Sequence, residues 1–216
     1  MTKKRQKTGG GELAKTATAA ADRFFRAYYR HSLASDEDTL FDLLNAIHSL
    51  NDKLGKSAGA NLHGSPPFTV LRKLRNLFHH EAELLHEVRM IHARDIPVVI
   101  SDLASVCLVS RSLVLQSLKD ERKPEVSTLV MTTVRWYGTV ADIQPCIFNA
   151  AVDVYEAVQP LDLDLRSEAY AAFRHAYDEE TLHGQSHHVS GELSSLAADV
   201  DTILERLFRQ RVGARS

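Results

Sequence analysis

The sequence predicts an all-α protein, an antiparallel bundle of about six to seven helices. Apolar residues recur every three or four positions through most of the 216-residue chain, which is the spacing of a helix with one buried face. No alternation of apolar and polar residues extends beyond a few positions, so no strand is expected. The composition is 44% hydrophobic and 25% charged, which is typical of one globular domain. We expect this domain to span residues 12–212.

The first third of the chain predicts a tail, two helices and a loop. Residues 1–11 combine basic side chains with consecutive glycines and are expected to form a flexible basic tail. Residues 12–33 predict a helix with an aromatic stripe. Ser35 precedes three acidic residues and is the expected N-cap of a second helix that ends at Gly55. Residues 55–67 are rich in Gly, Ser, Asn and Pro, which favours a loop.

The rest of the chain is also expected to be helical. The predicted helices span about 68–94, 97–123, 125–158, 164–182 and 189–211. The longest apolar stretch, residues 96–118, is interrupted by polar residues and therefore predicts a buried helix. Gly138 or Pro145 could kink or divide the helix predicted over residues 125–158.

Charge and cysteine content exclude several classes of protein. The formal net charge is −2 with neutral histidines, so any site for a polyanion must be local. The two cysteines, Cys107 and Cys146, exclude a disulfide framework and a four-cysteine zinc site, and both are expected to be buried. We expect neither a secretory signal, because the basic N-terminus is not followed by an apolar stretch, nor a membrane span. We expect a cytoplasmic protein that needs no cofactor or metal and does not contact a membrane.

A local basic site is predicted at the start of the third helix. Arg72, Lys73 and Arg75 lie in a segment without acidic residues between Pro66 and His80. Such a segment can bind phosphate groups, so Arg72 and Lys73 are candidate RNA-binding residues.

Four further polar residues follow on the same predicted helix. Arg75 and His79 share one flank, and Asn76 and His80 share the other. Arg75 and His80 are about 140° apart around the helix axis. They can therefore converge only through the length of the arginine, the geometry of the helix end or a second subunit.

The segment RNLFHH, with Arg75 and His80 at its ends, resembles the R-x4-6-H signature of the HEPN superfamily. The resemblance includes the polar residue Asn76 directly after the arginine and the loop before the helix. It implies an HEPN-like helical bundle and a metal-independent endoribonuclease, commonly a homodimer with a composite active site. It also suggests a toxin or defence ribonuclease with an antitoxin or regulatory partner.

The resemblance assigns a role to each candidate catalytic residue. RNA cleavage without metal uses the ribose 2'-OH as the nucleophile. Arg75 would stabilise the charge on the phosphorane, His80 would transfer a proton, and Asn76 would support them by hydrogen bonding. His79 lies on the Arg75 flank and could act in place of His80.

Two alternatives stay open at this point. In the first, the chain is a non-catalytic HEPN-like binding or regulatory protein, in which Arg75 pairs with Glu83 or another carboxylate and His80 is solvated. In the second, the chain is a carboxylate-bridged di-iron bundle protein. The residues that could hold the metal in that case are Glu83, His86, Glu180 and His183, with Asp52 and Glu156 as further carboxylates.

Two other features allow more than one interpretation. His183, His187 and His188 could bind a divalent metal or sense pH, or could form a solvated surface loop. Trp136, beside Arg135, could stack on a base or belong to the core.

Overall fold

The computed structural model describes residues 7–97, 99–195 and 198–210. Most of these residues are helical, but two small antiparallel sheets are also present. The prediction of a mostly helical chain is therefore confirmed, and the prediction of a purely all-α fold is wrong. Within the described residues, no helix combines the length and the apolar character needed to cross a membrane.

The chain divides into two compact units, each built from two separate stretches. The first contains the residues up to Ser65 together with Ala150–His187, and the second contains Pro66–Asn149 together with the residues from His188 onward. The helices of the first unit are α1 (Lys7–Leu33), α2 (Glu37–Ala58), α7 (Glu168–Leu182) and the later part of α6 (Gln144–Val158).

In the first unit, α1 packs along α2 and also contacts α7. An aromatic cluster fills the space beside α1: Phe25 lies edge-on to Tyr170 with ring centroids 5.1 Å apart, and Phe173 contacts Phe25 and Tyr155. Phe25 and Tyr155 are fully buried. Burial of each such ring contributes about 1.5–3 kcal/mol, so this cluster is a main source of stability for the unit.

The boundaries of the first two helices differ from those predicted. Residues 1–6 of the expected tail lie outside the described residues, and α1 begins at Lys7. The N-cap of α2 is Asp36 and not Ser35. Asp36 forms a reciprocal capping box with Thr39, whose N–H donates to Asp36 Oδ1 at 2.7 Å. At the other end, α2 continues to Ala58 because the left-handed residue that ends it is Gly59, with φ 64°.

The second unit contains both sheets. Its helices are α3 (Pro66–His80), α4 (Arg111–Ser117), α5 (Pro124–Thr133), the first residues of α6, and α8 (Val200–Arg209). Its strands are β1 (Arg89–His92), β2 (Val99–Ser101), β3 (Ser105–Ser110), β4 (Arg135–Tyr137), β5 (Val140–Asp142) and β6 (Leu193–Ser195). Four strands form one antiparallel sheet in the order β1-β3-β5-β4, and β2 pairs with β6.

Four of the five later helices predicted from the sequence are contradicted in whole or part. The helix predicted over 68–94 ends at His80, and a short 3₁₀ segment, Ala82–Glu87, leads into β1. The buried helix predicted over 96–118 is helical only in α4, and its earlier part forms β2 and β3. Strand β3 lies inside the sheet, and its four central residues are all buried. A strand buried on both faces has the same continuous apolar character as a buried helix.

The helix predicted over residues 125–158 is divided by the β4–β5 hairpin. Gly138 occupies the turn with φ 60°, a backbone conformation that glycine adopts without strain. Pro145 then lies in the first turn of α6. The last predicted helix, 189–211, is reduced to α8, which begins at Val200 after strand β6, and residue 211 lies outside the described range.

Candidate functional site

The candidate site lies on the outer face of α3, toward its C-terminal end. Two prolines begin the helix, and proline is well suited to a first turn because its missing N–H has no partner there. The buried face consists of Phe68, Thr69, Val70, Leu71, Leu74, Leu77 and Phe78. This face anchors the helix in the unit, where α3 contacts α4 and α5. The polar residues between these positions are therefore directed toward the surface.

The four predicted catalytic residues form two adjacent pairs on this surface. Arg75 and His79 are four residues apart, as are Asn76 and His80, so each pair lies one helical turn apart on a shared flank. Arg75 is half-buried, and the other three are exposed. Arg75 Nη1 donates to Asn76 Oδ1 at 3.4 Å. The rings of His79 and His80 meet edge to face with centroids 5.5 Å apart. The two pairs therefore touch twice: Arg75 contacts Asn76, and His79 contacts His80 one turn later.

The two predicted RNA-binding residues have different surroundings. The Lys73 ammonium forms an ion pair with Glu121, and both side chains are about 15% exposed. This contact holds the pKa of Glu121 down to about 2, chiefly through the hydrogen bond from Lys73. Arg72 is half-buried, and its Nε is buried without a hydrogen-bond partner among the described residues. Lys73 therefore connects α3 to the segment before α5, whereas Arg72 lies one turn before Arg75 on the same flank.

The chain that follows His80 is fixed close to the site. Glu81 Oε2 accepts a hydrogen bond from Gln116 Nε2 of α4 at 2.8 Å. Arg89 Nη1 donates to the carbonyl of His86 at 2.5 Å. These contacts hold the 3₁₀ segment that begins at Ala82 in place. The path of the chain directly after the two histidines is therefore fixed.

The contacts of the residues proposed for a di-iron centre do not support that hypothesis. Glu83 and His86 lie in the 3₁₀ segment and not on an α-helix. Glu180 Oε2 is 2.8 Å from His187 Nδ1, and Glu156 accepts a hydrogen bond from Tyr177 at 3.0 Å. Among the described residues, no group of three or more His, Cys, Asp or Glu side chains could hold a metal ion.

His187 has a role that the sequence did not predict. Its ring stacks on Tyr177 with centroids 3.5 Å apart and an angle of 14° between the planes. Its Nδ1 contacts Glu180 and its Nε2 lies 3.1 Å from Thr181 Oγ1. His187 thereby anchors the loop after α7 to the helix itself. Histidine-rich composition alone carries no signal for this stacking, because the partner lies ten residues earlier in the chain.

The cysteines and the tryptophan also have defined surroundings. Cys107 and Cys146 are free and buried, as predicted, and burial raises the pKa of the Cys146 thiol to about 12. Trp136 is half-buried. Its Nε1 donates to the carbonyl of Met131 at 2.7 Å, and the Arg111 guanidinium lies 4.9 Å from the ring centroid. A cation–π contact therefore covers one face of the ring.

Comparison of this chain with protein-family models, with curated proteins and with solved structures gave no match.

Proposed function

We propose that the end of α3 binds RNA and cleaves it without a metal ion, with His79, His80 and Arg75 as the catalytic residues and Asn76 as a supporting residue. The observation that carries this proposal is the pair of exposed imidazoles in ring contact, 5.5 Å between centroids, with a guanidinium one turn earlier. General acid–base catalysis of phosphodiester cleavage requires two proton-transfer groups and a cation.

The reaction follows from these three groups. One imidazole takes the proton of the ribose 2'-OH while O2' bonds to phosphorus. The bond from phosphorus to O5' then breaks, and the second imidazole gives its proton to O5'. Arg75 stabilises the negative charge that develops on the phosphorane oxygens. The products are a 2',3'-cyclic phosphate and a free 5'-OH. In this scheme His79 and His80 both transfer a proton, whereas the sequence predicted that one of them acts in place of the other.

The proposed RNA contacts extend along the Arg75 flank toward the start of α3. Arg72 lies one turn before Arg75 on that flank and is half-buried, with a buried N–H that has no acceptor in the part of the chain that the structure describes. A phosphate oxygen could provide that acceptor after a small movement of the side chain. Lys73 contributes to the local positive potential, although its charge is compensated by Glu121.

The HEPN resemblance belongs to this proposal as a hypothesis. In the HEPN pattern the signature opens a long helix, whereas here α3 ends at the signature histidine, and the unit that contains it also contains the sheets. The proposal therefore depends on the chemistry of the side chains and not on a shared fold. A homodimer, an HEPN-like helical bundle and an antitoxin or regulatory partner are further parts of the hypothesis.

The test is incubation of the full chain with total RNA and transfer RNA in EDTA. Wild-type protein is compared with His79→Ala, His80→Ala and Arg75→Ala. Each histidine variant is expected to lose about 10²–10⁴-fold in cleavage rate, and Arg75→Ala about 10²–10³-fold. The matched control is His175→Ala, which removes an exposed histidine from α7. Cleaved ends are examined for cyclic phosphate.

The results separate catalysis from binding. If the three site variants cleave RNA as fast as the control His175→Ala, the assignment of the site is contradicted. Wild-type protein that retains RNA in a salt-dependent manner but does not cleave it would favour the non-catalytic alternative. If the protein inhibits growth when expressed, we expect His80→Ala to relieve the inhibition. Light scattering of the purified chain tests the expected homodimer.

A further inference from the structure

We propose that a cavity in the second unit binds a small organic carboxylate, with Arg135 as the residue that recognises it. The cavity has a volume of about 270 Å³ and is lined by residues of α5, β4, α6 and the segment before β6. Its apolar surface includes Pro67, Val134 and Pro145, and its polar surface includes Arg135. The lining thus combines apolar side chains with a few fixed polar groups in nearly equal proportion, and fixed polar groups give a small-molecule site its orientation and specificity. This proposal does not depend on RNA cleavage at α3.

Arg135 provides the charge for recognition. It begins β4, the strand at the end of the four-stranded sheet. Its side chain is 40% exposed, and Nη2 is 3.4 Å from Glu192 Oε2, a long contact to a carboxylate that is itself 73% exposed. Its Nε is buried without a hydrogen-bond partner among the described residues. The guanidinium is thus only weakly compensated, and its planar fork matches the two oxygens of a carboxylate.

The part of the lining formed by Asn149, Val189 and Pro145 is held in place before any ligand binds. The side-chain amide of Asn149 donates to the carbonyl of Val189 and accepts from its N–H, both at 2.9 Å. The Tyr137 hydroxyl donates to the carbonyl of Gly191 at 3.1 Å. Gly191 has φ 64°, and a Cβ there would lie 1.9 Å from Pro145 Cγ. A wall fixed in this way lowers the entropic cost of binding.

The remaining polar groups define the chemistry of the ligand. The hydroxyls of Thr132 and Thr133 donate to backbone carbonyls, so their oxygens can only accept from a ligand. Ser190 Oγ accepts from the N–H of Glu192 and keeps its own hydrogen for donation. Arg135 is the single basic side chain among the lining residues, which matches a monoanion better than a phosphate dianion. The ligand is therefore a small carboxylate with an apolar body and a hydroxyl or ammonium donor.

The experiment is a titration of the isotopically labelled full chain, followed by the amide resonances of residues 132–135, 149 and 189–190. The probes are 3-phenyllactate and 2-hydroxyisocaproate, with their methyl esters as neutral controls and inorganic phosphate as the competing anion. At least one acid is expected to give saturable shifts, with an affinity about tenfold or more above that of its ester. Inorganic phosphate is expected to bind more weakly than that acid.

Three variants are expected to change the affinity for the acid in three different ways. Arg135→Gln is expected to reduce the affinity by about tenfold or more, because the bidentate ion pair is lost. Glu192→Gln is expected to raise it several-fold, because a competing carboxylate is removed, and this holds as a test even if Arg135→Gln does not fold. Arg94→Gln, which changes an 80% exposed arginine outside the cavity, is expected to leave it unchanged.

The proposal is overturned if neither acid shifts the cavity resonances, or if acid and ester bind equally. It is also overturned if folded Arg135→Gln binds like wild type, if Glu192→Gln fails to raise the affinity, or if phosphate binds more tightly than both acids.

Discussion

Asp142 is a buried carboxyl group whose removal tests the electrostatics of the sheet. It ends β5 and is 1% exposed. Its Oδ1 accepts hydrogen bonds from the N–H groups of Cys107 at 2.8 Å and Gln144 at 2.9 Å. Burial raises the pKa of Asp142 from 3.8 to about 7, although the two hydrogen bonds lower it in part.

The pKa difference gives the size and sign of the effect. The unfolded chain releases the Asp142 proton near pH 3.8, whereas the folded chain holds it until about pH 7. Stability is therefore lost as the pH rises through this window. The pKa differs by about three between the folded and unfolded chains. At 1.36 kcal/mol for a pKa difference of one, this corresponds to about 4 kcal/mol in the free energy of unfolding. Asp142→Asn removes this dependence and keeps an oxygen that can accept both N–H groups.

His31 changes stability in the opposite direction over an overlapping range. It is fully buried, and Nδ1 lies 3.0 Å from Thr39 Oγ1. Burial lowers the pKa of His31 from 6.5 to about 4. Stability from this group is therefore complete above pH 6.5 and is lost as the pH falls toward 4, by about 3 kcal/mol. The wild-type profile alone contains both effects, so the difference between Asp142→Asn and wild type is the quantity to measure.

Urea unfolding followed by tryptophan fluorescence provides the assay. The single tryptophan, Trp136, lies on β4, which pairs with the strand that carries Asp142. We expect Asp142→Asn to gain stability relative to wild type by about 4 kcal/mol between about pH 4 and pH 8. Asp120→Asn, at an exposed position, should show no such trend. A difference between Asp142→Asn and wild type that is flat, or that falls with pH, would refute the reasoning.

Three further variants test backbone strain, an ion pair and the core. Gly191→Ala should lower stability by at least about 1–3 kcal/mol, because φ is 64° and the new Cβ would lie 1.9 Å from a proline carbon. Gly184→Ala, where φ is 66° and no atom of the described residues lies within 4 Å of the new Cβ, should cost less in the same thermal unfolding experiment. Glu121→Gln should remove the stability that its pKa of about 2 provides above pH 4.5 and that is lost as the pH falls toward 2, seen as a flatter acid-unfolding profile. Leu44→Ala removes a fully buried side chain of α2 and should cost about 2–5 kcal/mol by circular dichroism, whereas a smaller loss would indicate that the core closes the cavity.

Helices with strong amphipathic periodicity could be predicted from the sequence. The regions of α1, α2 and α7 were predicted with errors of a few residues at their ends. The aromatic stripe on α1 corresponds to the packed rings of Phe24, Phe25 and Tyr28. Here local periodicity and tertiary packing agree, because each helix buries one continuous face.

The strands could not be predicted by the same reasoning. Most contain only three or four residues, which is too short for a period of two to be distinguished. In β3 the apolar run from Val106 to Val109 is buried throughout, so it carries no alternation. Gly138 between two short β-branched or aromatic segments was the available signal for a hairpin.

The candidate site was only partly accessible to sequence reasoning. The adjacency of Arg75 with Asn76 and of His79 with His80 follows from helical geometry, once α3 is known to be a helix. The end of α3 at His80, the pairing of Lys73 with Glu121, and the cavity beside Arg135 depend on residues distant in the chain. Such tertiary contacts leave no local pattern.

The order of segments along the chain has a consequence for biosynthesis. The N–H of Ser167, at the start of α7, donates to Asp22 Oδ1 of α1 at 3.2 Å, across 145 positions. Strand β2 finds its partner only in β6, which follows residue 192. A ribosome must therefore release the chain through α7 before the first unit has all of its segments, and through β6 and α8 before the second has them. Nascent chains arrested before α7 would lack a segment of each unit and would expose unpaired apolar surface in both, so we expect them to need chaperones.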